Sequence, residues 1–396
     1  METRKTILML LENDFIHDLR VKREASALSE AGFKVFVAAV TQKGENKIVT
    51  DNGITLYLRR MPKLVYKSSV AALKFPLYFS FWKEYVRDIF RDNLIDFIHI
   101  HDLPLCSIGV WARKRYRTIF IADLHENWPA LLQSSLHTKT LAGRLLSSDK
   151  QWRKYEKEMV READLIITII EESGERLVKI GADPAKICIV SNTFDPEEFK
   201  SIEVKDKTPG NELVLFYGGA INWHRGLQIV LKAIKLLAER NITIKMNIVG
   251  EGSFRNQLQE LADSSGIRDR IIFYGHKPAA EMFRILGESD LAVIPHFKTE
   301  NNDASSPNKI YQYMYYGKPV ISSDCESLKR IINSSEAGLI YEGGSAESLA
   351  EVLRNINTDR SRISVMGENG KKAARSTYDW QKDKLRLIAA YSHTGK

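Results

Sequence analysis

Short, uninterrupted apolar runs recur along this chain, each followed by a polar stretch and then by helix-spaced apolar residues. Thr6–Leu11, Val35–Val40, Ile95–Ile100, Ile119–Ala122, Leu165–Ile170 and Lys186–Val190 are runs of this kind. A strand that is apolar on both faces must be covered on both, which marks a parallel sheet between helix layers. The opening is a strand, a helix over Val21–Ala31 that stops near Gly32, and a second strand. That is a βαβ unit. The pattern restarts at Leu213–Tyr217 and runs on through Met246–Val249, Ile271–Tyr274 and Leu291–Ile294. Between the two series, Pro196–Asn211 is charged and poor in apolar residues and reads as a linker. A chain of 396 residues exceeds one ordinary core, so two α/β domains are expected. Their expected extents are 1–205, completed by a C-terminal helix over 376–396, and 206–375.

A net charge of +8 favours anionic partners. Nucleic acid is not expected among them, because no recognition motif or basic tract is present. Cys106, Cys188 and Cys325 are scattered, without metal or redox spacing, as in a reducing compartment. The first apolar run stops at Glu12, too short for a signal peptide or a spanning helix. A cytoplasmic protein is expected. Glu12 to Arg20 contains no glycine, so the dinucleotide fingerprint is missing and no nicotinamide or flavin cofactor is expected.

Ligands of open α/β sheets bind beyond the carboxyl ends of the strands. In the first half those ends carry His101-Asp102 and Asp123-Leu124-His125-Glu126, a polar rim. His99, His101, His125 and Glu126 lack the helical spacing of zinc proteases, so no metal is expected. In the second half three strands end in glycine, at Gly218-Gly219, Gly250-Glu251-Gly252 and Gly275-His276. Such turns let backbone approach a ligand closely. Arg225 precedes a helix with Leu227, Val230, Leu231, Ile234 and Leu237 on its buried stripe. In Ser305–Val320, Ser306 is suited to cap a helix, Pro307 to its first turn and Gly317 to its end. Lys309 beside that helix start makes an anion site, with an ordinary capped helix as the plainer alternative.

Tyr57 to Phe90 mixes Arg59, Arg60, Lys63, Lys67 and Lys74 with aliphatic and aromatic residues, divided by Pro76. Phe79, Trp82, Val86 and Ile89 are spaced as a core helix. Residues 59–74 are a candidate for peripheral contact with an anionic membrane, or else a solvated loop with lysines lying over apolar surface.

With these motifs the chain resembles a retaining glycosyltransferase of family 4 over nearly its whole length. Asp18-Leu19-Arg20-Val21 with Glu24-Ala25, and Ala31-Gly32-Phe33-Lys34-Val35, are similar to the opening of one branch of that family. Tyr217-Gly218-Gly219 with Arg225-Gly226-Leu227 resembles its donor-phosphate turn. Ile248-Val249-Gly250-Glu251-Gly252, and Ser306-Pro307-Asn308-Lys309 with Tyr313-Met314 and Gly317-Lys318-Pro319-Val320, are also similar to it. The resemblance implies a GT-B fold, two Rossmann-like domains facing each other across a cleft. It implies a nucleotide diphosphate-sugar donor, a sugar or lipid-linked acceptor, and a role in bacterial surface polysaccharide or glycolipid synthesis. It assigns His125, Glu126, Arg225 and Lys309 to catalysis, and Gly218, Gly219, Gly250, Gly252, His276, Ser306, Asn308 and Gln312, with Arg225 and Lys309, to the donor. The family's basic residue after the glycine turn is Ala220 here, and its paired glutamates match Ala304 and Gln312. The alternatives are a nucleotide-sugar epimerase on the same fold and a non-catalytic nucleotide-sugar-binding partner subunit.

Overall fold

The computed structural model describes residues 4–394 apart from 14, 16–17, 135–139, 141–142, 144–145, 205–206, 208–209 and 211. It divides into two compact units, Met1–Ser191 with Asp383–Lys396, and Asn192–Lys382. The chain leaves the first unit at Ser191, ahead of the expected linker. Phe194 is the reason: it is buried and stacks on Phe199 with ring centroids 5.2 Å apart, which ties this stretch into the second unit's core. At the other end the chain returns after Lys382, within the helix Trp380–Thr394.

The first unit is built on an eight-stranded sheet in the order β3-β4-β2-β1-β5-β6-β7-β8. Its strands are β1 Thr6–Leu11, β2 Lys34–Thr41, β3 Lys47–Asp51, β4 Ile54–Arg60, β5 Phe97–His101, β6 Ile119–Leu124, β7 Leu165–Thr168 and β8 Ile187–Ile189. All neighbours pair in parallel except β3 with β4. The antiparallel β3–β4 pair was not legible as strand, because β3 is exposed throughout and mixes charged with apolar residues. β1 is buried at every residue, as a central strand covered by helices on both faces must be. The helix Leu19–Glu30 is capped by Asp18, whose carboxylate accepts from the Val21 N–H.

The second unit carries β9 Leu213–Gly218, β10 Ile244–Val249, β11 Ile271–Gly275, β12 Leu291–Ile294, β13 Val320–Ser323 and β14 Gly338–Tyr341. Their order is β11-β10-β9-β12-β13-β14, parallel throughout. The order reverses direction at β9, which lies between β10 and β12. At such a switch the loops beyond the strand ends part and leave room for a ligand. Among the described residues no helix is long and apolar enough to cross a membrane.

Two glycines with left-handed backbone, Gly226 before the helix Leu227–Ala238 and Gly266 after the helix Arg255–Ser264, differ in why they are glycine. At Gly226 φ is +74° and an added Cβ would lie 1.8 Å from the Pro295 carbonyl oxygen, whereas at Gly266, with φ +68°, nothing lies within 4 Å. Gly266→Ala should therefore cost only backbone strain, on the order of 1 kcal/mol. Gly226→Ala should cost that and a displacement of the β12 end, lowering the thermal midpoint more than twice as far in differential scanning fluorimetry.

Candidate functional site

In the first unit the site is organised by Asp123 at the end of β6, a carboxylate with no exposed surface. Three imidazoles converge on its Oδ2: His125 Nε2 at 2.9 Å, His101 Nδ1 at 3.2 Å and His99 Nε2 at 3.3 Å. The other oxygen accepts from the Arg20 guanidinium at 2.8 Å, and Arg20 also reaches Glu24 Oε1 one helical turn on, at 2.9 Å. His99 and His101 are two apart on β5 and so share a face. Burial works against a charge on Asp123, but Arg20, His125 and the N–H of His101 hold its carboxyl well below the usual range.

The charges around it follow. Burial lowers His101 to about 3 and lowers His99 as well, so both are neutral donors. Burial and Arg20 also oppose a proton on His125, yet Asp123 and Asp102 outweigh them and hold it up at about 9. His125 is therefore an imidazolium at neutral pH. Its Nδ1 lies 3.6 Å from Asp102 Oδ1, longer than a hydrogen bond. Burial pushes Glu24 up to about 8 with Asp123 adding to it, so Glu24 is a neutral acid facing Asp123.

Glu24, His99, His101 and Asp123 offer ligand atoms all within 4.8 Å of one another, a geometry that could hold a metal. A divalent ion there would share the pocket with the Arg20 guanidinium and the His125 imidazolium. The cluster already balances its own charge, and we read it as a proton network.

Glu126 is exposed, and the carboxylates that hold His125 are Asp123 and Asp102. Sequence reasoning placed the rim correctly but missed Arg20 and Glu24 as its partners, although the resemblance had drawn attention to both. It also missed Glu12, the residue that ends the first apolar run. Burial pushes Glu12 up to about 7 despite the Tyr78 hydroxyl, with Asp102 adding to it.

In the second unit Lys309 and Arg225 come together at the end of β9. The Lys309 ammonium lies 4.2 Å from the centre of the Tyr217 ring, and a Cβ on Gly219 would meet it at 2.7 Å. Burial, then Arg225, lowers Lys309 to about 7. Arg225 donates to His296 Nε2 at 3.2 Å; His296 follows β12, is 2% exposed, and is held neutral by burial and by both cations. Sequence reasoning missed His296. The signal available was only its position, two residues after a buried strand. Among the described residues neither Arg225 nor Lys309 has a carboxylate within ion-pair distance.

The remaining expected donor contacts divide. Gly218 ends β9, where its N–H donates to the Tyr313 hydroxyl at 3.0 Å. Gly250 and Gly252 are explained by neighbouring backbone: added Cβ atoms would lie 1.9 Å from the Gly219 carbonyl oxygen and 2.2 Å from that of Ile221. Ser306 does not cap the helix, which spans Lys309–Tyr315 with Asn308 at the cap position and no side-chain cap bond. Its buried hydroxyl instead donates to Tyr311 Oη at 3.1 Å. Gln312 lies half-buried in that helix, and His276 is exposed after β11. Gly317 ends the helix as expected, at φ +67°, with Lys318 N–H bonded back to the Tyr313 carbonyl.

Two family models match the chain, Glycosyltransferase Family 4 over residues 19–198 and Glycosyl transferases group 1 over residues 198–373. A similar curated relative is the putative colanic acid biosynthesis glycosyltransferase WcaL of Salmonella typhimurium, 24% identical over 201 residues. That match takes in 50% of this chain and 49% of WcaL, so the chain spans about half the length of this relative. Among solved structures, sucrose-phosphate synthase from Thermosynechococcus elongatus superposes with a TM-score of 0.79 at 14% identity, over 98% of this chain and 99% of that one. Anabaena HepE in complex with UDP superposes with a TM-score of 0.69 at 14% identity, over 98% of this chain and 100% of that one.

The buried acid Glu24 has a consequence for stability. The folded state holds its proton up to about pH 8, while the unfolded chain releases it near 4.5, so stability present at low pH is lost as pH rises between these values. Glu24→Gln cannot lose that proton and keeps an oxygen for Arg20. Relative to wild type it should gain on the order of 3 to 4 kcal/mol in going from pH 5 to pH 8. Thermal unfolding across that range checks this; an equal difference at both pH values would show Glu24 to be ionised in the fold.

Proposed function

The chain carries the two domains of a GT-B glycosyltransferase, and from that premise we propose that it moves a sugar, with retention, from a nucleotide diphosphate-sugar to an acceptor hydroxyl. The observation that carries this reading is the pair Arg225 and Lys309: two cations brought together at the carboxyl edge of β9 without an acidic partner among the described residues. A diphosphate supplies the missing charge. As the bond from the sugar's anomeric carbon to the β-phosphate oxygen breaks, negative charge grows on the leaving diphosphate, and these groups stabilise it. HepE, bound to UDP, supports a uridine nucleotide as the first donor to try.

Retention rests on the resemblance of the motifs to family 4. The acceptor oxygen forms the new bond on the face the diphosphate leaves, and its proton passes to the departing phosphate oxygen. His125 on the first unit is assigned to the reacting sugar. With Nε2 committed to Asp123, its Nδ1–H is the donor available to a sugar hydroxyl. Metal is not needed in this scheme, since lysine and arginine take the role of a Lewis acid at the diphosphate.

The test is isothermal titration of UDP, followed by release of UDP from UDP-sugars with and without acceptor extracts. Transfer predicts turnover that depends on acceptor; free sugar products without acceptor point to an epimerase, and binding without turnover to a partner subunit. Lys309→Met should lower turnover about a hundredfold, the scale of one lost charge-stabilising contact. It should also remove a pH dependence. Free Lys309 is half-protonated near pH 7 and the diphosphate favours its charged form, so UDP affinity in the wild type should fall as pH rises from 7 to 8.5. Equal affinity across that range in the wild type would take Lys309 out of the diphosphate site.

The acceptor side is assigned to membrane-bound sugar, at the inner face of a bilayer. Arg59 does not take part: it pairs with Asp88 at 2.7 Å and stacks over Tyr85. Support comes from the next stretch, where Leu64 is 72% exposed and Phe75 55%, beside exposed Tyr66, Leu77, Lys63, Lys67 and Lys74. Apolar side chains flanked by lysines suit an anionic lipid surface. Binding to vesicles of phosphatidylglycerol and phosphatidylcholine should weaken as salt rises and fall at least tenfold in Leu64→Ser, Phe75→Ser. Equal binding to neutral vesicles would overturn the electrostatic part.

A further inference from the structure

The C-terminal helix Trp380–Thr394 places Tyr391, with no exposed surface, against β5 of the first unit. Its ring packs on Phe97 and Phe33, with centroids 5.1 Å and 5.6 Å away. That packing alone would be served as well by phenylalanine. The hydroxyl, however, lies 2.6 Å from His99 Nδ1. His99 Nε2 in turn lies 3.3 Å from Asp123 Oδ2, the oxygen that also holds His125 at 2.9 Å.

The proton positions along this line are determined. Asp123 is ionised and can only accept, so His99 must carry its proton on Nε2. Nδ1 is then a lone pair in a buried place, and it needs a donor. Tyr391 is that donor, since burial raises its hydroxyl well above the ordinary range and keeps it protonated. The alternative tautomer would turn a lone pair of His99 toward the carboxylate and deprive Asp123 of one of its three imidazole donors.

We infer that Tyr391 is a positioning residue: its hydroxyl fixes the tautomer of His99 and, through Asp123, sets the proton affinity of His125. The functional weight of this coupling rests on the reading of His125 as the group that acts on the sugar. The groups that face His125 are Asp123, Asp102, His101, Arg20 and Glu24. Those that face His99 are Asp123, Glu24, Tyr391, His125, Arg20 and His101. Tyr391→Phe leaves every one of these charges in place and removes one donor. With His99 free to take the other tautomer, the charge of Asp123 is shared among fewer N–H groups, and its pull on the His125 proton grows.

The experiment is 15N-detected NMR titration of the histidine rings in the full-length protein, with His99 and His125 assigned by substitution. In wild type, His99 should show the Nε2–H tautomer alone from pH 6 to 9, and His125 should titrate near 9. In Tyr391→Phe, His99 should show both tautomers and the His125 midpoint should rise by about half a pH unit. In a His99→Phe background the same substitution should leave the His125 midpoint unmoved, because the path runs through His99. An unchanged tautomer and midpoint in Tyr391→Phe, with only the thermal midpoint lowered, would make Tyr391 a packing residue and overturn the inference. These readings do not depend on turnover. If His125→Ala transfers sugar normally, the functional reading of His125 fails while the coupling is still judged by the titration.

Discussion

A carboxylate without solvent must find all its compensation inside the protein, or it does not stay ionised. Asp123 meets that requirement with four side chains from three separate pieces of chain. Arg20 comes from the helix after β1, His99 and His101 from β5, and His125 from the turn just beyond its own strand. The main chain of the acid is fixed separately, with the Asp102 N–H donating to the Asp123 backbone carbonyl at 2.9 Å. The apolar residues of β5 and β6 would pack against helices in more than one register. A slip of one residue would turn His99 and His101 to the opposite face and leave the acid unpaired. The polar cluster thus selects one register among those the apolar pattern permits.

The second unit follows the opposite logic. Arg225 and Lys309 are close enough to depress the lysine, and among the described residues no acid offsets them. His296 accepts from Arg225 and cannot supply charge; held neutral, it orients the guanidinium without quenching it. The cluster in one unit therefore balances its charges internally, whereas the described residues of the other leave a positive field. Preorganised groups lose little on binding, and an unbalanced field strengthens as negative charge grows on a ligand.

Most of the sheet architecture was legible, because a strand buried on both faces cannot hide its composition. β1 and β12 match the apolar runs Thr6–Leu11 and Leu291–Ile294 to the residue. The antiparallel pair of β3 and β4 was not, since β3 is a solvated edge strand that leaves no such mark. Within the site, residues delivered by strand ends were readable from position alone: His101, Asp102, Asp123 and His125 in one unit, and Gly218 in the other. Contacts made across the fold were not readable. Arg20 lies 103 positions from Asp123, and Tyr391 lies 292 from His99. Gly250 and Gly252 show a further limit. A glycine at a strand end signals that something comes close, but not whether it is a ligand or, as here, the carbonyl of the next loop.

Asp102 holds the most unusual backbone conformation beside this cluster. Its φ of 67° with ψ of 154° lies in a region that residues with a side chain rarely enter, at a cost of about 1–3 kcal/mol. The hydrogen bond from its N–H to the Asp123 carbonyl holds it there. A relaxed backbone would let its carboxylate close on the His125 imidazolium to an ordinary ion-pair distance near 2.8 Å. Instead Oδ1 and Nδ1 stand 3.6 Å apart, with His125 partly exposed. An acid and a donor held just beyond bonding distance admit a third polar group more cheaply than a closed pair would. The closed pair would first have to be broken. The strain at Asp102 is offset by its hydrogen bond and keeps that position open.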